Sequence, residues 1–289
     1  MTAVVSAMDI GGSHVAAANV DLETGRVVPG QSSREPLDGA GSAGEIVAAI
    51  ARCARRLPAQ AGGRWAVALP GPFDHESGIG RYEGVGKFEA LRDFDLRAAL
   101  EPVLPGAESI SFHHDADAFL LGEWWAGAAR GHRRAAGITL GSGVGSSFLR
   151  DGHILRDGPG IPPEGRLDLL SHAGLPLEET VSRRAVRRAY ALATGESPGP
   201  DVREIAQRAR RGDRAAAGVL AEAFDALGAV LGPCLVASGA TVVVVGGSIA
   251  ASWDLVAGPL RAGTAVAVEP ARHLAEAPLL GAAYLAAHD

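Results

Sequence analysis

The 289-residue sequence predicts an α/β fold of two related lobes, and three observations carry that prediction. Short apolar runs of strand length alternate with stretches of helical periodicity. A strand, glycine turn, strand pattern occurs twice, around Asp9-Ile10-Gly11-Gly12-Ser13 and around Leu140-Gly141-Ser142-Gly143-Val144-Gly145, a weak internal echo. Glycine and alanine are abundant while aromatic residues make up 5%, a composition suited to closely packed helix and sheet layers.

Residues 3–9 read as a buried strand and 15–21 as its hairpin partner. The glycines between them are expected to take φ > 0 and aim backbone N–H groups at an anion. Asp9, at the strand end, would hold a metal-bound water beside that anion; the plainer reading is an ordinary hairpin with a capping aspartate. Residues 26–28 make a third strand, followed by loop as far as Gly44. A helix over 44–57 then presents Ile46, Val47, Ile50 and Cys53 on one side. The strand 65–69 stops at Pro70-Gly71-Pro72-Phe73-Asp74, a tight loop at the carboxyl end where open α/β sheets bind ligands. Glycine-rich residues 78–88 form either a substrate-covering loop or a plain surface loop.

A helix over 94–104 and a strand over 108–112 lead to Ser111-Phe112-His113-His114-Asp115-Ala116-Asp117-Ala118. A helix over 116–129 follows, with Phe119, Leu120 and Trp124 toward the core. Strands at 135–140 and 146–150 flank the second glycine turn. Helices are expected over 178–194, 201–211 and 213–237. Residues 241–245 are a buried strand ending in a third glycine turn, Gly246-Gly247-Ser248, and a small-residue helix closes the chain.

Net charge is −6, so no broad basic surface argues for nucleic acid or an acidic membrane. Arginine runs at helical spacing read as solvated faces. Cys53 and Cys234 are isolated in apolar stretches and read as buried, inert thiols rather than a disulfide framework or a zinc site. The histidines lack ligand spacing. No signal sequence is read at the amino terminus and no apolar run is expected to span a bilayer, which together suggest a cytoplasmic protein.

The central motif carries the chemistry. A buried carboxylate at Asp115 would accept the proton of an alcohol and aim its oxygen in line at a phosphoryl group, with His114 bonding a second hydroxyl. Asp115 or Asp117 acting only as a helix cap is the competing reading. No Walker lysine motif, protein-kinase catalytic loop or GxGxxG fingerprint is present.

Taken in order, Asp9-Ile10-Gly11-Gly12-Ser13, Pro70-Gly71-Pro72, His114-Asp115-Ala116-Asp117-Ala118 with Gly122-Glu123, Gly141-Ser142-Gly143-Val144-Gly145, Leu177-Glu178 with Ser182, and Val245-Gly246-Gly247-Ser248 resemble the ROK-family sugar kinases over nearly the whole chain. The resemblance implies an α/β, two-lobed actin-like (ribonuclease H-like) hexokinase fold with ATP and sugar in the interlobe cleft. One lobe would be 1–112 completed by a helix at 278–289, the other 113–277. It implies Asp115 as general base toward a sugar 6-hydroxyl. Asp9, Gly11, Gly12 and Ser13 would lie by the ATP phosphates and Mg2+. Gly141, Ser142, Gly143 and Gly145 would form a second phosphate loop, and Gly246 and Gly247 would approach the adenosine. Gly71, Pro72, His114, Glu164 and Glu178 would line the sugar pocket. A homodimer is implied as well.

Three departures from the family pattern stand out. His114 replaces the usual Asn. Pro163-Glu164-Gly165-Arg166-Leu167-Asp168 lacks the histidine of the usual Gly-Glu-x-Gly-His segment. The cysteine-rich zinc loop is missing, so no structural zinc is expected. The resemblance implies a hexose or amino-hexose acceptor such as glucose or kanosamine, and a remodelled pocket suits an amino sugar such as kanosamine or, as the alternative, a C7-cyclitol of a natural-product pathway. A catalytically degenerate sugar binder is the other class. A sugar-sensing regulator is disfavoured by the acidic balance and by a chain that opens directly on the first strand.

Overall fold

The computed structural model describes residues 4–288; Ala3, where the first predicted strand begins, and Asp289, where the last predicted helix ends, lie outside them. The chain begins with β1 (Val4–Ile10), β2 (His14–Asp21), β3 (Arg26–Pro36), α1 (Ala43–Ala54) and β4 (Arg64–Leu69). It continues through β5 (Phe73–Asp74), β6 (Ile79–Gly80), α2 (Leu96–Leu100), β7 (Ser109–His114) and α3 (Asp115–Ala126). Next come β8 (Arg134–Leu140), β9 (Val144–Arg150), β10 (His153–Ile154), β11 (Ser171–His172), β12 (Leu175–Pro176), α4 (Glu178–Val181), α5 (Arg183–Thr194) and α6 (Val202–Arg210). The last elements are α7 (Arg214–Ser238), β13 (Val242–Gly246), α8 (Trp253–Ala262), β14 (Ala267–Pro270) and α9 (Ala277–His288).

These elements make two compact units, one of residues up to Ala126 with Ala275 onward, the other Gly127–Leu274. The first holds a sheet in the order β3-β2-β1-β4-β7, the second a sheet in the order β10-β9-β8-β13-β14. In each, two hairpin-linked antiparallel pairs lead to a central strand, and two further strands add to it in parallel. The connectivities correspond strand for strand, so the internal echo in the sequence is a repeated topology.

In the first unit the pleat sorts residues by parity. Met8 and Ile10 of β1 join Ile46, Ile50 and Cys53 of α1 in one core layer. Val5 and Ala7 join Ala66, Ala68, Ala118 and residues of α9 in another. Small side chains bring α3 and α9 close together. A Cβ at Gly122 would overlap the Ala277 carbonyl, and one at Gly281 the Ala118 carbonyl. That packing fastens α3 to the first unit, so the expected boundary after residue 112 moves to after Ala126.

Other expectations change for identifiable reasons. Residues 29–36 are not loop but the continuation of β3, an edge strand, where Pro29 and Gly30 interrupt no central ladder. The helix predicted over 94–104 shortens to Leu96–Leu100, capped by Asp95, whose side chain accepts from the Ala98 N–H. Cys53 is buried as expected, but Cys234 is only half-buried. Against the expectation of no membrane-length run, α7 is by length and composition apolar enough to cross a bilayer; more than half of its apolar window is buried inside the chain. It forms the spine of the second unit's core, with Phe224, Leu227, Leu231 and Leu235 buried.

Candidate active site

In the first unit, the register lines up Arg34, Ala16, Asp9, Ala68 and His113 across the five strands. Asp9 shares the parity of Val5 and Ala7, so its carboxylate emerges on the side where α3 packs, and Asp115 is the first residue of α3. Burial and the neighbouring Asp115 push the Asp9 carboxyl up to about 7, against the pull of Arg34 and Lys87. Two carboxylates therefore lie at the carboxyl ends of β1 and β7, and the charges of Arg34 on β3 and Lys87 on a loop reach Asp9.

Asp115 is not buried, as the sequence reading expected, but 35% exposed, which leaves it open to a substrate. One carboxylate oxygen accepts from the Ala116 N–H at 2.8 Å and lies 3.6 Å from Nε2 of His114. The residue thus opens the helix and also faces the charge cluster. Nδ1 of His114 is buried without a hydrogen-bond partner. Its ring lies 6.3 Å from that of His75, which packs edge-on to Phe73 at 5.4 Å.

The Pro70-Gly71-Pro72 loop leaves β4 beside β7. A Cβ on Gly71 would lie 4.0 Å from Cδ2 of His114, which places the loop beside that imidazole. Tyr82 fixes the loop by donating its hydroxyl to the Pro70 carbonyl at 2.7 Å. The phenol is held far above its usual range by burial and by Asp115. Pro72 is exposed.

The turn after β1 departs from expectation. Gly11 and Gly12 do not take positive φ, and the Gly11 N–H donates to the His14 carbonyl at 2.9 Å rather than pointing outward. Gly12 is closely approached instead: its carbonyl accepts from the Gly39 N–H at 2.9 Å, and a Cβ on Gly12 would sit 3.3 Å from Cδ of Lys87. Ser13 is exposed, its carbonyl accepting from the Leu37 N–H at 3.1 Å. His14 is held below its ordinary range by burial, then by Arg34.

The second unit gathers the other predicted glycines. β8 and β13 run in parallel with Thr139 opposite Gly246, which sets the turn after β8 beside the turn after β13. Gly247 does take positive φ, +87°, and a Cβ there would overlap the backbone of Leu140. The Gly141 N–H donates to the Gly143 carbonyl at 3.0 Å, and the Gly141 carbonyl accepts from the Arg183 N–H at 3.0 Å. Ser142 is exposed, and Gly141, Gly143 and Gly145 are partly so. A Cβ on Gly143 would sit 3.0 Å from a carboxylate oxygen of Glu178, so that residue stands against the glycine turn.

Glu164 is exposed on a single 3-10 turn, in the left-handed region at φ 58°. The residues after it are tied to β9: Ser146 Oγ donates to the Gly165 carbonyl at 2.8 Å and accepts from the Leu167 N–H at 2.7 Å. Arg166 binds Asp168 with both ends of its guanidinium, at 2.7 and 3.3 Å, and the charges of Asp168, Glu164 and Glu178 raise its pKa further. Sequence reasoning assigns no role to Arg34, Tyr82, Lys87, Ser146 or Arg166. Among the described residues there is no cluster of three or more His, Cys, Asp or Glu suited to a metal ion.

This arrangement has counterparts. A sequence model of the ROK family matches residues 5–289. The chain is 30% identical over 217 residues to a glucokinase from Thermotoga maritima, covering 68% of this chain and 67% of that protein. The crystal structure of a ROK hexokinase from Thermus thermophilus matches with a TM-score of 0.76 at 28% identity, covering 99% of this chain and 100% of that one. A ROK family glucokinase from Streptomyces griseus, in complex with glucose and AMPPNP, gives a TM-score of 0.79 at 24% identity, again over 99% and 100% of the two chains. The mixed α/β fold is that of the ROK hexokinases, and the chain belongs to the ROK family.

Proposed function

We propose that this chain is an ATP-dependent sugar kinase acting at the 6-hydroxyl of a hexose or amino-hexose such as glucose or kanosamine. Asp115 is its general base. The observation that carries the reading is the placing of Asp9 and Asp115 at the carboxyl ends of β1 and β7, close enough for each to act on the other's charge, with Arg34 and Lys87 also acting on Asp9. In the step, the hydroxyl oxygen bonds to the γ-phosphorus as the bond from that phosphorus to the β,γ-bridging oxygen breaks. The electron pair leaves with ADP, and the hydroxyl proton passes to Asp115.

Asp9 suits Mg2+ held through water, because a carboxylate crowded by burial and by Asp115 gains from a divalent partner. The ion, bound mainly by the nucleotide, would offset charge on the phosphates. The turns at Gly11-Gly12 and Gly141–Gly145 suit phosphates by admitting close backbone approach, and Gly246-Gly247 suits the adenosine. Gly71, Pro72, His114, Glu164 and Glu178 are read as lining the acceptor pocket.

A C7-cyclitol acceptor is the second reading, prompted by the segment where the family usually offers a histidine, which here holds an Arg166–Asp168 pair instead. A cytoplasmic homodimer completes the reading, and sedimentation velocity tests the dimer. ADP release measured over glucose, kanosamine, other hexoses and C7-cyclitols identifies the acceptor. No product with any of them, while ATP still binds, would leave a sugar binder rather than an enzyme.

A further inference from the structure

Lys87 is the only lysine in a chain with 27 basic Lys and Arg side chains. It is half-buried in a glycine-rich loop, yet the loop around it is fixed. The Glu89 carboxylate accepts from three successive N–H groups, those of Gly84, Val85 and Gly86, at 3.2, 2.8 and 3.0 Å. Those donors, Gly86 foremost, hold the Glu89 carboxyl below its ordinary range. On the other side of Lys87, the ring of Phe88 is buried 5.4 Å from that of Tyr82.

The main chain then carries the lysine to the first glycine turn. The Phe88 N–H donates to the Gly39 carbonyl at 2.6 Å, and the Gly39 N–H donates to the Gly12 carbonyl at 2.9 Å. Gly39 and Gly12 press together so closely that a Cβ on Gly39 would lie 2.8 Å from the Gly12 oxygen. The lysine stem lies over bare Gly12, and its charge is felt at Asp9. An arginine would present a broad planar fork; a lysine presents a compact charge on a slim stem, which suits one oxygen of a phosphate.

We infer that Lys87 is the cation that meets the terminal phosphate of the nucleotide at the Asp9–Ser13 turn, neutralising the transferred group and holding it in line. The inference rests on the kinase reading, and it adds no bond change to the step, since the ammonium keeps its proton throughout. It also decides the character of residues 78–88, which the sequence left open between a surface loop and a substrate loop.

The single lysine makes the test direct. Reductive methylation with 13C-formaldehyde labels Lys87 and the α-amine alone and preserves charge. In the labelled wild-type protein, the lysine resonance shifts on adding AMPPNP with Mg2+, and shifts less with ADP. In parallel, Lys87→Met lowers kcat by about 100-fold, the scale of losing one transition-state donor. It also narrows the ratio of ATP to ADP affinity, while Lys87→Arg recovers part of both. If AMPPNP binds by calorimetry but the resonance stays still, the Lys87 role is overturned and the kinase reading stands. If neither nucleotide binds, both fall.

Discussion

The two units share a connectivity and differ in what their strand ends carry. In the first, the turn after β1 is surrounded by charge: Asp9, Asp115, Arg34 and Lys87. In the second, the turn after β8 is packed against backbone, with Gly247 pressed on Leu140, and Glu178 stands against Gly143. The same scaffold therefore serves two purposes. One copy gathers carboxylates and cations; the other supplies close-packed main chain with little room for side chains.

Substitutions sharpen this contrast in order of expected effect. Asp115→Asn removes the proposed proton acceptor with almost no change in shape, and kcat should fall by about 10³-fold with ATP affinity preserved. Steady-state kinetics alongside calorimetry check it, and wild-type turnover would strip Asp115 of the role. Gly247→Val probes the backbone-built copy. A side chain there meets the Leu140 backbone at a left-handed φ, so a loss of about 3 kcal/mol in urea denaturation is expected.

Asp9→Asn should separate activity from stability. The folded carboxyl titrates at about 7 against an ordinary 3.8, so the wild-type fold gains from the protonated form below 3.8 and loses that gain as pH rises through about 7. Asparagine does not suffer the loss. Melting temperatures should therefore rise in the variant more at pH 8 than at pH 5, by about 2–4 °C per kcal/mol relieved, while turnover drops. Equal shifts at both pH values would show that Asp9 is not strained by burial. Gly143→Ala is the mildest change. Its Cβ would sit 3.0 Å from the Glu178 carboxylate, which swings away, so stability should change by about 0.5 kcal/mol. A raised KM for ATP with kcat unchanged would mark the turn as a nucleotide contact.

Much of the frame was legible in the sequence because it is local. Apolar runs ending in Asp9-Ile10-Gly11-Gly12, Leu140-Gly141 and Val245-Gly246-Gly247 announce strands and their turns within a few residues. What escaped depends on partners far along the chain. The later part of β3 looks like loop because Gln31-Ser32-Ser33 is polar, and only its pairing with β2 makes it strand. Arg34 reaches the row of Asp9 through that same pairing. Tyr82 and Lys87 belong to an irregular stretch whose shape is set by the Pro70 carbonyl and by Gly39, neither adjacent in sequence. The expectation of outward N–H groups at Gly11 failed for the opposite reason, a hairpin closing on itself at His14.

The crossing of α3 with α9 has a consequence for how the molecule is made. Helix α9 is translated after every element of the second unit, yet α3, the helix that starts at Asp115, rests on it through Gly122 and Gly281. The unit begun first on the ribosome is thus the one finished last, and until Ala277–His288 emerge its alanine layer stays uncovered. A lesion near the carboxyl end would be felt at residue 115, more than a hundred and fifty positions upstream.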